Sequence, residues 1–152
     1  MIKEIFAWSA KKLNGLNVIS NEDDLILERR FIINKPNFGI YLHRCLHPDL
    51  DPNLFHDHPW SWSFSIILSG YYIEKRPGFG GEDETRKKSF LNINFIGMNT
   101  FHRLAEISKG GAWTLYFRGK RVKKDGFLQR LPDGNWKHIL ADEADFEFKE
   151  FK

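Results

Sequence analysis

The stretch Phe55-His56-Asp57-His58-Pro59-Trp60 contains two histidines one residue apart. Side chains two residues apart on an extended strand point to the same face, so this spacing predicts both imidazoles on one face. A third histidine, His102, follows His58 by 44 residues, behind an alternating apolar run and a turn at Gly97. Neutral imidazole binds Fe, Zn, Ni and Cu well. The three histidines therefore predict a metal site if the fold brings them together.

The sequence on both sides of this stretch alternates between apolar and polar residues, as short β-strands do. Turn residues separate the predicted strands, which cover 25–33, 38–46, 62–75 (interrupted at Ser69-Gly70), 89–96, 102–107, 112–118 and 136–140. About eight short strands at this spacing are typical of a β-sandwich or barrel. Only residues 4–13 favour a helix, a short one near the N-terminus. The sequence predicts an all-β fold.

Length and composition indicate one domain spanning 1–152. A chain of 152 residues is long enough for one hydrophobic core. Its 14 Phe, 5 Trp and 4 Tyr favour strands over helices. The apolar run at 5–8 is too short for a signal peptide, and no segment approaches the roughly 20 apolar residues of a membrane span. Cys45 is the only cysteine, which excludes an intramolecular disulfide. We predict a cytoplasmic protein without a membrane partner.

The charges are mixed along the chain, with a formal net charge of +3. The densest basic run, 118–124, is balanced by acidic residues at 142–150. This balance favours a solvated charged surface over a phosphate-binding patch, so nucleic acid is not the expected partner. The alternative is a nucleic-acid-binding accessory protein that uses 118–124 together with Trp113 and Tyr116.

The histidine stretch resembles the first motif of the cupin superfamily, Gly-x5-His-x-His-x3–4-Glu-x6-Gly. His56 and His58 occupy the two histidine positions, and Gly70 stands at the final glycine. Two positions depart from the motif: Ser63 replaces the glutamate and Leu50 replaces the leading glycine.

The second cupin motif, which ends Gly-x2-His-x3-Asn, is matched less closely. His102 is its histidine, Gly97 stands two residues early, and Glu106 replaces the asparagine. The phrases at 41–44 and 112–115 also resemble cupin-like proteins of phage and bacterial genomes. The resemblance implies a single-domain cupin double-stranded β-helix, or jelly-roll barrel, with a short N-terminal helix or extension. Cupins often pair through sheet edges, which implies a homodimer.

Loss of the motif glutamate leaves a ligand set of three neutral histidines. Among cupins this set resembles the thiol dioxygenases such as cysteine dioxygenase, which hold Fe(II) with three histidines. The resemblance implies a divalent metal, with Fe(II) first and Zn, Ni or Mn as alternatives. A neutral set keeps the full charge of the dication for a small anionic substrate. We predict a small-molecule Fe(II) oxygenase.

Other residues are predicted to surround the metal. Glu106 has the strand parity of His102 and is the candidate general base, and Glu74 and Glu106 are the carboxylates that could join the metal shell. The expected substrate pocket consists of Tyr41, His43, Arg44, Trp60, Ser63 and Tyr71. Because Ser63 replaces the glutamate, a metal-free small-molecule-binding protein or a sugar isomerase or epimerase is the alternative function.

Overall fold

The computed structural model of the protein describes residues 16–21 and 24–140, with side chains from Leu25 onward. The helix predicted at 4–13 and the acidic residues at 142–150 lie outside this part of the chain. The regular secondary structure of the described residues consists of strands alone, so the all-β prediction is confirmed.

Twelve strands are present in the described residues. They are β1 (Leu16–Asn21), β2 (Asp24–Lys35), β3 (Phe38–Cys45), β4 (Leu54–His56), β5 (Trp62–Ser69), β6 (Tyr71–Arg76), β7 (Glu84–Ser89), β8 (Ile93–Gly97), β9 (Arg103–Ile107), β10 (Ala112–Arg118), β11 (Gly126–Arg130) and β12 (Trp136–Leu140). They form a six-stranded sheet with the order β1-β2-β3-β10-β5-β8 and two three-stranded sheets, β12-β11-β4 and β7-β6-β9. All pairings between the strands are antiparallel.

The prediction succeeded where alternation is strong and failed where it is weak. The strands predicted at 112–118 and 136–140 have the predicted bounds. The predicted strand 89–96 is instead a turn between β7 and β8 followed by β8 itself. Strand β7 was missed because its sequence, ETRKKS, has no apolar residue, and β1, β4 and β11 were also missed.

Gly70 forms the tight connection between β5 and β6. Its φ of 76° lies in the left-handed region that favours glycine. A Cβ atom at this position would lie 2.6 Å from the Gly111 carbonyl oxygen and 2.6 Å from Ser108 Oγ. The backbone conformation and the lack of space for a Cβ atom therefore explain why a glycine stands at the last position of the motif.

The six-stranded sheet buries a largely polar face, which we call the inner face. In β5, Ser63, Ser65, Ile67 and Ser69 are buried, and the alternate positions are half-buried. The inner face contributes to the candidate site together with the strands of the smaller sheets.

Candidate metal centre

The three predicted histidines come together. One ligating nitrogen from each of His56, His58 and His102 lies within 4.8 Å of the other two. The Nε2 atoms of His58 and His102 are 2.8 Å apart. An isolated bridge brings His56 beside His102, where the backbone N–H of each residue donates to the carbonyl of the other at 2.9 Å. This bridge joins the sheet that contains β4 to the sheet that contains β9.

Asp57 anchors the segment between the two histidines of the motif. It is buried, and its Oδ1 accepts a hydrogen bond of 2.8 Å from the backbone N–H of Gly126. Its other oxygen forms an ion pair with Lys123. Because adjacent residues on an extended segment point to opposite faces, this anchor leaves His56 and His58 facing the same way.

The electrostatics of the cluster keep the imidazoles of His56 and His58 neutral. Burial, with His102 as the next contribution, lowers the pKa of His56 to about 4. Burial, followed by His102 and His56, holds the pKa of His58 well below its usual range. A metal requires the neutral form of imidazole, so His56 and His58 have available lone pairs at neutral pH.

Glu74 lies behind His102. Its carboxylate is 0% exposed, and Oε1 is 2.7 Å from Nδ1 of His102. This contact is close, but it does not have the geometry of a regular hydrogen bond. Burial raises the pKa of Glu74, but the proximity of His102, Asn94 and Arg76 outweighs it and lowers the pKa to about 2.

Tyr116 on β10 connects the histidine cluster to the inner face of the sheet. Its hydroxyl is 3.4 Å from Nδ1 of His58, and its ring stacks on His43 with centroids 4.8 Å apart. Arg29 Nε donates to Nε2 of His43 at 3.0 Å. Burial, followed by Arg29, holds the pKa of His43 well below its usual range. The inner face thus presents a neutral imidazole, a phenol and a guanidinium.

Arg118 occupies the end of this face. It is buried, and it donates to the Tyr41 hydroxyl at 2.7 Å and to Asn34 Oδ1 at 2.8 Å. It also donates to the carbonyl oxygen of Pro36, and its guanidinium lies 4.4 Å from the centre of the Trp60 ring. These oxygen acceptors are neutral, so the partners support the guanidinium without cancelling its charge.

Of the six residues predicted for the pocket, Tyr41, His43 and Ser63 are buried on the inner face. Ser63 Oγ donates to the Ile96 carbonyl at 3.1 Å. The motif's glutamate position is therefore occupied by a hydroxyl that is bonded to β8.

The other three predicted pocket residues lie elsewhere. Trp60 packs beneath Arg118. Arg44 has the opposite parity to His43, and its Nη1 is 3.8 Å from Glu28. The Tyr71 hydroxyl donates to Glu106 at 2.7 Å in an exposed pair.

The prediction that Glu106 shares the face of His102 is wrong. In the pairing of β6 with β9, Glu74 lies opposite Leu104 and Ile73 lies opposite Glu106, so Ala105 is an extra residue. This bulge reverses the parity beyond it and turns Glu106 outward, where it is exposed. Glu106 was predicted to be a general base on the assumption that side chains alternate between the two faces without interruption from His102 to Glu106.

Sequence reasoning missed Asp49, Tyr116 and Arg118 at this site. Asp49 Oδ2 accepts from the Leu104 backbone N–H at 2.7 Å and lies 3.7 Å from Nδ1 of His56. It sits in a turn, and no sequence pattern distinguishes it from other turn aspartates. Tyr116 and Arg118 are two residues apart in β10, whose bounds were predicted correctly. This spacing indicates that both side chains lie on the same face, and it could have identified them.

The chemistry of the cluster fits a divalent cation. The Nε2 atoms of His58 and His102 are 2.8 Å apart, so they must share either a proton or a cation. Neutral imidazoles on one side of an ion leave its remaining coordination positions to water or substrate. His56, His58 and His102 would hold the ion.

No protein-family model and no curated protein matches the chain, but solved structures share its fold. A candidate mannose-6-phosphate isomerase from Ralstonia eutropha JMP134 is 13% identical, with a TM-score of 0.53, over 68% of this chain and 91% of that one. The Fe(II) form of HppE in complex with substrate is 10% identical, with a TM-score of 0.54, over 72% of this chain and 57% of that one. A cupin superfamily protein from Desulfitobacterium hafniense DCB-2 is 11% identical, with a TM-score of 0.48, over 66% of this chain and 82% of that one.

The first two comparisons show that the fold is the jelly-roll architecture that the cupin motif implied. The chain spans little more than half of the HppE chain, so the comparison with HppE covers only part of that protein. Within the part of the chain that the structure describes, no helix has the length and apolar character for a membrane crossing.

Proposed function

We propose that the protein is a metal-dependent enzyme that uses Fe(II) to oxygenate a small anionic substrate. The observation that carries the proposal is the convergence of three imidazoles at a site where Ser63, not a glutamate, occupies the fourth ligand position of the motif. The Fe(II) form of HppE has a similar fold, which supports iron as the metal. A bound Fe(II) ion supplies redox chemistry with dioxygen and an electrostatic anchor for an anion.

The residues of the inner face support an anionic substrate. Arg29 is a cation on this face, bonded to His43, and the buried Arg118 adds a positive charge behind Tyr41 at the end of the face. Guanidinium groups bind carboxylates and phosphates with good geometry. In this proposal the inner face orients the acidic group of the substrate, and the histidines fix the metal beside it.

The ion pairs within the basic run support a small molecule over nucleic acid as the partner. Lys123 pairs with Asp57, and Arg121 pairs with Asp125 at 3.0 Å. Arg118 is buried. These three cations of the run are therefore already paired or enclosed within the protein.

The test has two stages. Protein expressed without added metal is analysed for its metal content, together with His102→Ala and with His47→Ala as the matched control, because His47 is exposed and outside the cluster. We expect a stoichiometric metal in the wild type and the control and its loss in His102→Ala. Anaerobic Fe(II) protein is then offered a panel of small thiols and carboxylates, and oxygen uptake in proportion to substrate is expected. Tight metal binding without uptake across the panel would contradict the oxygenase proposal.

The second candidate function is a sugar isomerase or epimerase. It is favoured by the similarity to the candidate mannose-6-phosphate isomerase, of which the chain covers 91%. Conversion of mannose 6-phosphate or related sugar phosphates without oxygen, abolished in His102→Ala, would establish it in place of the oxygenase.

A further inference from the structure

Glu74 is a buried carboxylate whose position is fixed independently of the histidines. Asn94 Nδ2 donates to its Oε1 at 2.9 Å, and Arg76 Nε donates to its Oε2 at 3.2 Å. Arg76 is itself held by the Phe95 carbonyl at 2.9 Å, and Asn94 also donates to the Tyr72 hydroxyl at 3.1 Å. A charged group this deeply buried is costly unless it is paired and hydrogen-bonded, and here it is both.

The position of this carboxylate determines which nitrogen of His102 can carry the proton. Nδ1 lies 2.7 Å from an anionic oxygen, which favours a hydrogen on Nδ1. The neutral ring then has its lone pair on Nε2, the atom that is 2.8 Å from Nε2 of His58. The identity of the metallated nitrogen is set by the partner of the other nitrogen.

The other two histidines have the same arrangement with weaker partners. Nδ1 of His56 is 3.7 Å from Asp49 Oδ2, and Nδ1 of His58 is 3.4 Å from the Tyr116 hydroxyl. Each ring thus has an oxygen at Nδ1, and the contact with Glu74 is the shortest of the three. Glu74 and Asp49 also place two negative charges around a ligand set that has none of its own.

We propose that Glu74 is the positioning residue of the metal centre: through its contact with Nδ1 it fixes the tautomer and orientation of His102 and supplies negative charge that the missing motif glutamate would have provided. Asp49 has the same role at His56 over a longer distance. This inference rests on the proposed metal function of the three histidines. Its consequence is that a centre with neutral ligands binds its cation more tightly than three imidazoles alone would.

The first experiment uses the metal-free wild-type protein. Long-range proton–nitrogen NMR correlations of the His102 ring report which nitrogen carries the hydrogen. We expect the Nδ1–H tautomer at neutral pH. The Nε2–H tautomer would overturn the inference, and this result is independent of the stability of any variant.

The second experiment measures Zn²⁺ affinity by competition with a chromophoric chelator. Glu74→Gln keeps the size of the side chain but removes its charge, and we expect Zn²⁺ affinity to fall by about 10-fold to 100-fold, the usual effect of losing such an outer partner. Glu84→Gln is the matched control, because Glu84 is exposed and pairs with Arg86 on β7. An affinity within twofold of the wild type in Glu74→Gln would overturn the inference.

The two proposals fail in different ways. If the wild type binds no Zn²⁺ or Fe(II) while His102 has the Nδ1–H tautomer, the metal function fails and the contact with Glu74 stands as a structural pair. If the wild type binds metal tightly and Glu74→Gln binds equally well, the metal function stands and the positioning role fails.

Discussion

The two faces of the six-stranded sheet differ in what they bury: the inner face buries many polar side chains together with Ile67 and Ile96, and the outer face exposes large apolar ones. On the inner face of β5, Ser63 is 0% exposed and Ser65 is buried. On the outer face of the same sheet, Ile93 and Phe95 are both 59% exposed, and they pair with Ile66 and Phe64 of β5. Antiparallel sheets more commonly pack their apolar face on the core and expose the polar one.

The difference between the faces indicates where the chemistry lies. Buried polar groups are costly unless they are satisfied, and on this sheet they are: Ser63 bonds to Ile96, and Arg118 bonds to Tyr41 and Asn34. A satisfied polar network beside three histidines is a rigid, charged lining for a small ligand. On the opposite face, Arg44 forms a partly exposed ion pair with Glu28 at 3.8 Å.

The largest expected effect on stability is at Glu74, whose buried carboxylate bonds to Asn94 and Arg76. Glu74→Ala leaves Arg76 and Asn94 without their carboxylate, and removing one partner of a buried pair costs about 3–5 kcal/mol. Denaturant unfolding of the metal-free proteins, followed by tryptophan fluorescence, measures the difference. A loss below about 1 kcal/mol would show that the network contributes little to folding.

The next largest effect on the free energy of unfolding is expected at Tyr41, in comparison with Tyr71. Both tyrosines were predicted to lie in one substrate pocket. The Tyr41 hydroxyl accepts from Arg118 at 2.7 Å and donates to Asn34 at 2.9 Å in a buried setting, whereas the Tyr71 hydroxyl bonds to Glu106 in an exposed one. Tyr41→Phe should lower the free energy of unfolding by about 2 kcal/mol, because it leaves a buried donor unsatisfied. Tyr71→Phe should change it by less than about 0.5 kcal/mol. Equal effects in the two variants would remove the distinction between the faces.

The alternation of apolar and polar residues made much of the fold predictable. The bounds of β10 followed from it, and the spacing of His56 and His58 placed both rings on one side. It could not show which face is inside, because the usual rule would bury Leu115 and Phe117 of β10 and expose Tyr116 and Arg118, whereas the structure buries Tyr116 and Arg118 and leaves Leu115 and Phe117 half-buried.

The parts of the site that were not predicted depend on tertiary structure. The bulge at Ala105 has no mark in the sequence, and it moved Glu106 out of the site. Glu74 was recognised as a carboxylate that could join the metal shell, but its support by Asn94 and Arg76 depends on how β6 and β8 meet in the fold. Asp49 reaches His56 only because its backbone pairs with Leu104.

The third effect is on the pH dependence of stability. Burial and Arg29 lower the pKa of His43 in the folded protein, so the unfolded chain binds a proton more readily than the folded one. This contribution to stability is fully present above the unfolded pKa of about 6.5 and is lost as pH falls below it, by at most about 1.4 kcal/mol per pH unit for one proton.

The measurement compares unfolding of the wild type and His43→Gln at pH 7.5 and pH 5.5. Glutamine can still accept from Arg29 but does not titrate, and His56 and His58 contribute to both proteins alike. The variant should lose less stability on acidification than the wild type does. Parallel losses would mean that His43 is protonated as easily when folded as when unfolded.

The smallest effect is expected on the outer face, where two neighbouring residues of β8 give a direct contrast. Asn94 is 1% exposed and bonds to Glu74 and Tyr72, whereas Phe95 is 59% exposed and lies opposite its cross-strand partner Phe64. Asn94→Ala should cost about 1–3 kcal/mol, because buried partners lose their donor. Phe95→Ala should cost less than about 1 kcal/mol, the usual range for a cross-strand pair. The free energies of unfolding of both variants are measured at several protein concentrations. A cost for Phe95→Ala that exceeds that of Asn94→Ala and grows with protein concentration would mean that a second copy of the chain covers the outer face.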